Sequence, residues 1–325
     1  MNKTSVWVDT DFGFDDLWAL LLLRYLGIDA VGVSMVFGNS PLQQVVSNVY
    51  SAEQVFGFKW PLFSGAQRPL QQPLQTAEAV LGPAGMRSRG KALPLIDVSP
   101  APYAAQRALI QWLESDPVDS AHHWVLALGP LTNLATLSIN TPDAFSKIKR
   151  VVWMGGSTGR GNQTSHAEFN AYADPDALEV VLSSGVSVDI VDLELCRQVS
   201  FGEQHIPAFD PGQQTPTLLR DLLGGYLDIA LSRGRTSMNI YDPMAVIALA
   251  NTSAIEFNDV AVEVNTSSGE ERGRTLFSSR LSSRDVSIRS SNTVSDTSPS
   301  PIRIATGIDA EAARALCMEA LTCDT

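Results

Sequence analysis

Asp9-Thr10-Asp11-Phe12-Gly13-Phe14-Asp15-Asp16 decides how the rest of this chain is read. It follows a short apolar run, Val6-Trp7-Val8, and leads into an apolar helical pattern from Leu17 to Leu26. Four carboxylates in eight residues, with no cation among them, repel one another unless they are fully solvated or gathered around a positive ion. Asp is favoured at helix N-caps and in first helical turns, which accounts for Asp15 or Asp16. It does not account for Asp9 and Asp11 at the end of the preceding strand. We therefore read the stretch as a divalent cation site.

The ligand type narrows the ion. Only carboxylate oxygens are on offer, which suits Ca²⁺ or Mg²⁺ rather than Zn²⁺. An EF-hand is excluded, because a loop starting at Asp9 puts Phe14 at the turn-glycine position and Leu20 at the bidentate Glu position. A second candidate is the Asp-x-Asp nucleophile loop of the Mg²⁺-dependent haloacid dehalogenase-like phosphatases, which also follows a first strand.

Short β-branched runs alternate with helical patterns for most of the chain. Expected strands are Ser5–Val8, Ala30–Val36, Trp124–Leu128, Arg150–Trp153 and Ser187–Asp192. Expected helices are Asp16–Leu26, Leu42–Phe56, Ala104–Glu114, Leu131–Ile139 and Asp176–Ser184. The alternation implies an α/β fold: a mainly parallel, Rossmann-like central sheet flanked by helices on both faces. Ligands of such sheets bind at the carboxyl ends of the strands, where the acidic stretch lies. Gly38-Asn39, Leu128-Gly129-Pro130-Leu131-Thr132-Asn133 and Met154-Gly155-Gly156 also follow expected strands, so several polar loops meet at that edge.

Further on, 200–217 reads as a long connection and Leu218–Ser232 as a helix with Tyr226, Ala230 and Arg233 on one face. Tyr241-Asp242-Pro243 opens a helix through Ala250. Residues 266–301 are rich in Ser, Thr and Arg and read as exposed surface loop. Ile302–Thr306 and the helix Asp309–Leu321 close what we take as one domain over residues 1–325.

The 325 residues are 44% hydrophobic and 18% charged, the balance of a globular protein with a sizeable core. A net charge of −12 opposes nucleic-acid or anionic-membrane partners. Cys196, Cys317 and Cys323 are an odd number without metal spacing, so reduced thiols and a cytoplasmic location are expected. No signal peptide is visible, and no apolar run reaches the length of a membrane span.

The ordered set of motifs resembles the inosine-uridine-type nucleoside N-ribohydrolases. The matching pieces are the opening acidic block, Gly38-Asn39, Gly129-Pro130-Leu131-Thr132-Asn133, Met154-Gly155-Gly156, Gly161-Asn162, Ala167-Glu168-Phe169-Asn170, Asp174-Pro175-Asp176 and Asp242-Pro243. Val260–Val264 and Arg272-Gly273-Arg274-Thr275 look like the family's C-terminal part. The phosphatase reading weakens, because Gly13 stands where that family usually has Thr or Val.

The resemblance implies Ca²⁺-dependent hydrolysis of the N-glycosidic bond of ribonucleosides to free base and ribose. It implies Ca²⁺ held by Asp11, Asp15, Asp16 and Asp242 with the main-chain carbonyl of Leu128, and Asp11 as the base that activates water at the metal. Asn39, Asn162, Glu168 and Asn170 would bind the ribose hydroxyls and Met154 would line the sugar pocket. Asp9 takes a supporting role, and a homodimer or homotetramer is implied. The chemistry is coherent, since a cis-diol needs acceptors for its protons and a cation for its oxygens. Nearby carboxylates also stabilise the oxocarbenium-like state formed on attack at C1′.

The chain departs from the family at the leaving group. Leu81 and Tyr241 stand where relatives often carry histidines. Its own histidines are His122, His123, His166 and His205; His122 and His123 read as structural, and His205 as a surface residue. Contacts to the leaving base then fall to Tyr241, Tyr226, Arg233 or His166, and base preference is not written in the sequence. Two alternatives stay open: the Mg²⁺-dependent phosphatase, and a non-catalytic Ca²⁺-dependent nucleoside- or ribose-binding protein.

Overall fold

A computed structural model describes residues 5–101, 104–115, 123–210, 212–279 and 302–323. His122 and most of the expected 266–301 loop lie outside them. Eleven strands are described: β1 Ser5–Thr10, β2 Asp29–Met35, β3 Leu62–Ser64, β4 Trp124–Ala127, β5 Arg150–Met154, β6 Val188–Val191, β7 Ser200–Phe201, β8 Met238–Asn239, β9 Glu256–Val264, β10 Thr275–Ser279 and β11 Ile302–Gly307. Nine form one sheet in the order β10-β9-β11-β6-β5-β4-β1-β2-β3, and β7 and β8 make a separate antiparallel pair. From β11 across to β3 every pairing is parallel, while β9 and β10 add an antiparallel edge. The fold is α/β, as expected.

Alternating side chains feed both faces of the strands. Val6, Val8, Met35, Leu126 and Val152 enter one core, with helices Phe14–Tyr25, Leu42–Phe56, Gln214–Leu231, Asp242–Ala250 and Ala310–Ala320. Trp7, Val125, Val151, Trp153 and Ile190 enter the other, with helices Ala104–Glu114, Thr132–Asn140 and Pro175–Ser183. Helix Phe14–Tyr25 is apolar nearly all round because other helices enclose it; Leu17, Trp18 and Leu20 to Leu23 are buried. Each such side chain contributes about 1.5–3 kcal/mol relative to exposure. Trp18 also donates its indole N–H to the Cys317 carbonyl (2.7 Å), tying the C-terminal helix to the first one.

β1 sits between β2 and β4, so the chain winds outward in both directions from the β1/β4 boundary. The crevice beyond the carboxyl ends of those two strands is where an open α/β sheet receives ligand. Asp11 ends one lip and Leu128-Gly129 the other, joined by a hydrogen bond from the Leu128 N–H to the Asp9 carbonyl (2.8 Å).

Most expected elements differ by one to three residues at their ends, as helix and strand termini do. Gln214–Leu231 begins four residues before the expected Leu218, because Pro216 lies in the first turn, where its missing N–H costs nothing. The 266–301 expectation is corrected at its start. Thr275–Ser279 pairs antiparallel with Val260–Val264, and Arg272 and Thr275 are buried. Its Ser/Thr-rich composition reads as loop, yet an edge strand with one solvated face tolerates it. The backbone ladder and the Ser157 N–H to Thr275 Oγ1 bond (3.0 Å) hold it. The short β3, β7 and β8 were not expected.

Candidate active site

The turn after β1 is built around its own carboxylates. Phe12 adopts a left-handed conformation (φ 41°), rare for a bulky side chain, and reverses the chain between strand and helix. Thr10 Oγ1 accepts the Phe12 N–H (3.1 Å) and donates to Asp16 Oδ1 (2.5 Å). Asp16 Oδ2 accepts the Gly13 N–H (2.7 Å), so Asp16 caps the helix start. Asn39, after β2, donates its backbone N–H to Asp11 Oδ2 (2.8 Å) and its amide to Asp11 Oδ1 (3.0 Å) and Asp16 Oδ2 (3.2 Å). This approach needs Gly38, since a Cβ there would lie 2.0 Å from Asp11 Oδ2.

Asp242, the first residue of helix Asp242–Ala250, arrives from the far part of the chain. Asp15, Asp16 and Asp242 each bring a carboxylate oxygen within 4.8 Å of the others. Burial first of all pushes the pKa values of Asp11, Asp15 and Asp242 up, and that of Asp16 up to about 7. Mutual repulsion adds to the rise for Asp11, Asp16 and Asp242. Among the described residues no Lys, Arg or His forms an ion pair with any of the four. A buried all-oxygen cluster without a counter-charge fits a hard divalent cation.

Asp9 lies beneath this layer, fully buried. Asn133 Nδ2 donates to its Oδ1 (2.7 Å), Ser34 Oγ donates to the same oxygen, and Oδ2 has no hydrogen-bond partner. Burial raises its pKa to about 7. Asn133 also accepts the Ala66 N–H (2.8 Å) and donates to the Met35 carbonyl (3.2 Å), so this motif Asn braces strand ends. Asp174 is likewise a strut, accepting from Thr132 Oγ1, Leu70 N–H and Ala177 N–H.

The opposite side is set by loop 155–170. Glu168 caps helix Phe169–Ala173. Its Oε1 accepts the Asn170 N–H (2.8 Å), and its Oε2 accepts the N–H groups of Gly156 (2.9 Å) and Ala171 (3.0 Å). Burial outweighs these donors and lifts its pKa to about 7. Asn170 Nδ2 bridges the carbonyls of Leu128 (2.9 Å) and Met154 (3.0 Å), and Asn162 Oδ1 accepts the Phe169 N–H (2.9 Å).

Asp11, Asp15, Asn39, Leu128, Met154, Asn162, Glu168, Asn170, Tyr226, Arg233, Tyr241 and Asp242 all line one cleft, with Asp16 immediately beneath it. His166 is not in this wall; it lines a separate depression with Ser157, Arg274 and Phe277. Tyr226 donates its hydroxyl to Asp15 Oδ2 (3.0 Å), so its proton is engaged on the carboxylate layer. Tyr241 is held by burial at a pKa of about 12 and keeps its proton at neutral pH. The wall also carries the apolar side chains of Val80, Leu81, Ile229 and Met238. Val80, Ile229 and Met238 escaped the sequence reading, because they come from a four-residue helix, the end of a long one and a two-residue strand.

The model of the family described as inosine-uridine preferring nucleoside hydrolase matches residues 6–315. The chain belongs to that family. This nucleoside hydrolase is accordingly an enzyme of the N-glycosidic hydrolase class, acting on ribonucleosides. It is 28% identical over 280 residues to the pyrimidine-specific ribonucleoside hydrolase RihB of Escherichia coli, covering 85% of this chain and 88% of RihB. Its fold matches a plant nucleoside hydrolase (TM-score 0.81, 24% identity, 99% of both chains). It also matches the purine-preferring ribonucleoside hydrolase of Gardnerella vaginalis (TM-score 0.82, 20% identity, 98% of both chains). Those names span both base classes, so the shared fold does not choose between them. No described helix of this nucleoside hydrolase is long and apolar enough to cross a membrane.

Proposed function

We propose that the cleft hydrolyses ribonucleosides by a Ca²⁺-dependent mechanism in which Asp11 is the general base. One observation carries the reading: the buried carboxylates of Asp11, Asp16 and Asp242 and the half-buried Asp15 meet at the switch point of the sheet, with no described cation paired to them. Asp11, Asp15, Asp16 and Asp242, with the Leu128 carbonyl, would hold the ion. When bound, it would offset their repulsion and polarise oxygens brought to it.

The protein's own groups do the rest. Asn39 fixes both oxygens of Asp11, so that carboxylate is oriented before substrate arrives and can take a proton from water. Asn39, Asn162, Glu168 and Asn170 hold the ribose hydroxyls, with Met154 packed against the sugar. Their rigidity comes from the backbone bonds that already engage Asn39, Asn162, Glu168 and Asn170. Carboxylates around C1′ favour the positive charge that develops as the glycosidic bond breaks. Tyr241 is the proton source facing the base, since Tyr226 is occupied by Asp15. We place the enzyme in nucleoside salvage, as a cytoplasmic homodimer or homotetramer built from one domain.

The test is ribose release from a panel of purine and pyrimidine nucleosides, with and without chelator. Ribose release restored by Ca²⁺ supports the reading. Saturable binding without product would sink it in favour of a nucleoside-binding protein.

A further inference from the structure

A second cleft adjoins the first, and its charge is out of keeping with the chain. The protein has 23 Lys and Arg against 35 Asp and Glu, yet Arg160, Arg197, Arg233 and Arg235 converge here. Asn162, Gln163, Arg233 and Tyr241 line both clefts, so the two are continuous. Arg197 is tied to Glu194 and donates to the Gly161 carbonyl (3.3 Å), which anchors the 161–165 loop. Arg160, Arg233 and Arg235 are exposed and form no ion pair with a described carboxylate. In a protein with excess acid, three unpaired guanidinium groups on one cleft are a built positive field.

We infer that this arginine cleft is a subsite for an anionic group carried by the nucleoside, namely a phosphate on C5′. The inference rests on the hydrolase reading above. Guanidinium groups match phosphate oxygens in paired, planar hydrogen bonds. The apolar side chains of Val80, Leu81, Ile229 and Met238 suit the base, while the arginine cleft opens beside Asn162, which the hydrolase reading places on the ribose, and extends past Arg233 and Tyr241. The arginines also offset the repulsion that a phosphate meets from the carboxylate layer. The reaction is balanced by water alone. The C1′–N bond breaks, a C1′–O bond forms to the water oxygen, one water proton passes to the protein's base and one proton reaches the leaving base. The products are free base and ribose 5-phosphate.

The experiment compares uridine with uridine 5′-monophosphate, and inosine with its 5′-monophosphate, on the Ca²⁺-loaded full chain, following base release. At low salt we expect KM for each monophosphate at least tenfold below that of its nucleoside, with the advantage shrinking as salt rises. The double variant Arg160→Ser/Arg235→Ser should erase the advantage, while kcat/KM for the neutral nucleosides stays within about twofold. The lysine pair at the same positions should restore part of it. Inorganic phosphate should compete with the monophosphates and leave the nucleosides untouched. A melting-temperature rise with monophosphate, lost in the double variant, is the readout that needs no turnover. Monophosphates handled no better than nucleosides, or a double variant that slows both equally, would overturn the subsite and leave the hydrolase reading standing. An advantage for a nucleoside with a carboxylated base, and none for the monophosphates, would overturn the C5′ assignment. Failure to release base from any neutral nucleoside, with the monophosphate-induced rise in melting temperature intact, would strike the hydrolase reading alone.

Discussion

The two ends of the cleft are made of different material. The ribose end comes from turns directly after β1, β2, β4 and β5, and nearly every polar atom there has a backbone or side-chain partner within 3.2 Å. The base end comes from the short helix Glu78–Leu81, the end of Gln214–Leu231 and the two-residue β8, and it presents side chains without such a lattice. Strand ends in a sheet cannot move independently, so the first end is preorganised for chemistry. Short peripheral elements can change sequence without disturbing the core, so the second end is where specificity can be altered. Relatives named for pyrimidine and for purine preference share this fold, in keeping with that division.

The division is most exposed to metal removal. Stripping the cation with a strong chelator should reduce ribose release to background and lower the melting temperature, with Ca²⁺ restoring both. Saturation a hundredfold above Kd corresponds to about 2.7 kcal/mol of stability. Full activity in a preparation shown to be free of metal would break the account of the ribose end.

Asp11→Asn comes next. It keeps the size and one acceptor for the Asn39 lattice while removing the base and one charge. We expect kcat to fall roughly a thousandfold or more, with the fold intact by circular dichroism. Asp9→Asn should cost much less, because Asp9 is buried beneath the cleft; the reverse ranking would exchange their roles.

The base end should respond more weakly and only with demanding leaving groups. Nitrophenolate leaves without a proton, so a nitrophenyl riboside should turn over faster than inosine or uridine. Tyr241→Phe should slow the natural nucleosides by about a hundredfold, within the usual range for general acid catalysis, and spare the nitrophenyl substrate. Equal losses on all three substrates would make Tyr241 a packing residue.

The last effect is on stability against pH. Asp9, Asp16 and Glu168 hold protons up to about pH 7 in the folded protein, because burial disfavours their charged forms. In the unfolded chain they release them near pH 4. Between those values the folded state binds more protons, so metal-free stability should fall as pH rises from about 4 to about 7. Denaturant titrations across that window would measure the slope, and saturating Ca²⁺ should flatten it. A metal-free stability that rises over the same window would contradict the burial argument.

The carboxylate layer was legible because repulsion among unpaired acids is visible without a fold: Asp11, Asp15 and Asp16 declare themselves within one octapeptide. The alternation of apolar runs was enough for the parallel sheet and its helices. Asp242 and Glu168 were recoverable only through the ordered motifs, since a lone Asp before Pro reads as a helix cap. Val80, Ile229 and Met238 carry no periodic signal of their function, because tertiary placement alone turns them toward the cleft. The arginine cleft was illegible for the same reason: its members come from three separate stretches that meet only in the folded chain.

The late arrival of Asp242 bears on how the molecule is made. During synthesis Asp11, Asp15 and Asp16 emerge at once on a short turn that water can still reach. The last carboxylate joins them only when helix Asp242–Ala250 packs against helix Phe14–Tyr25. On the proposed reading, a cation bound there would offset the repulsion that Asp242 adds, and would so tie the late helix Asp242–Ala250 to the turn that follows β1.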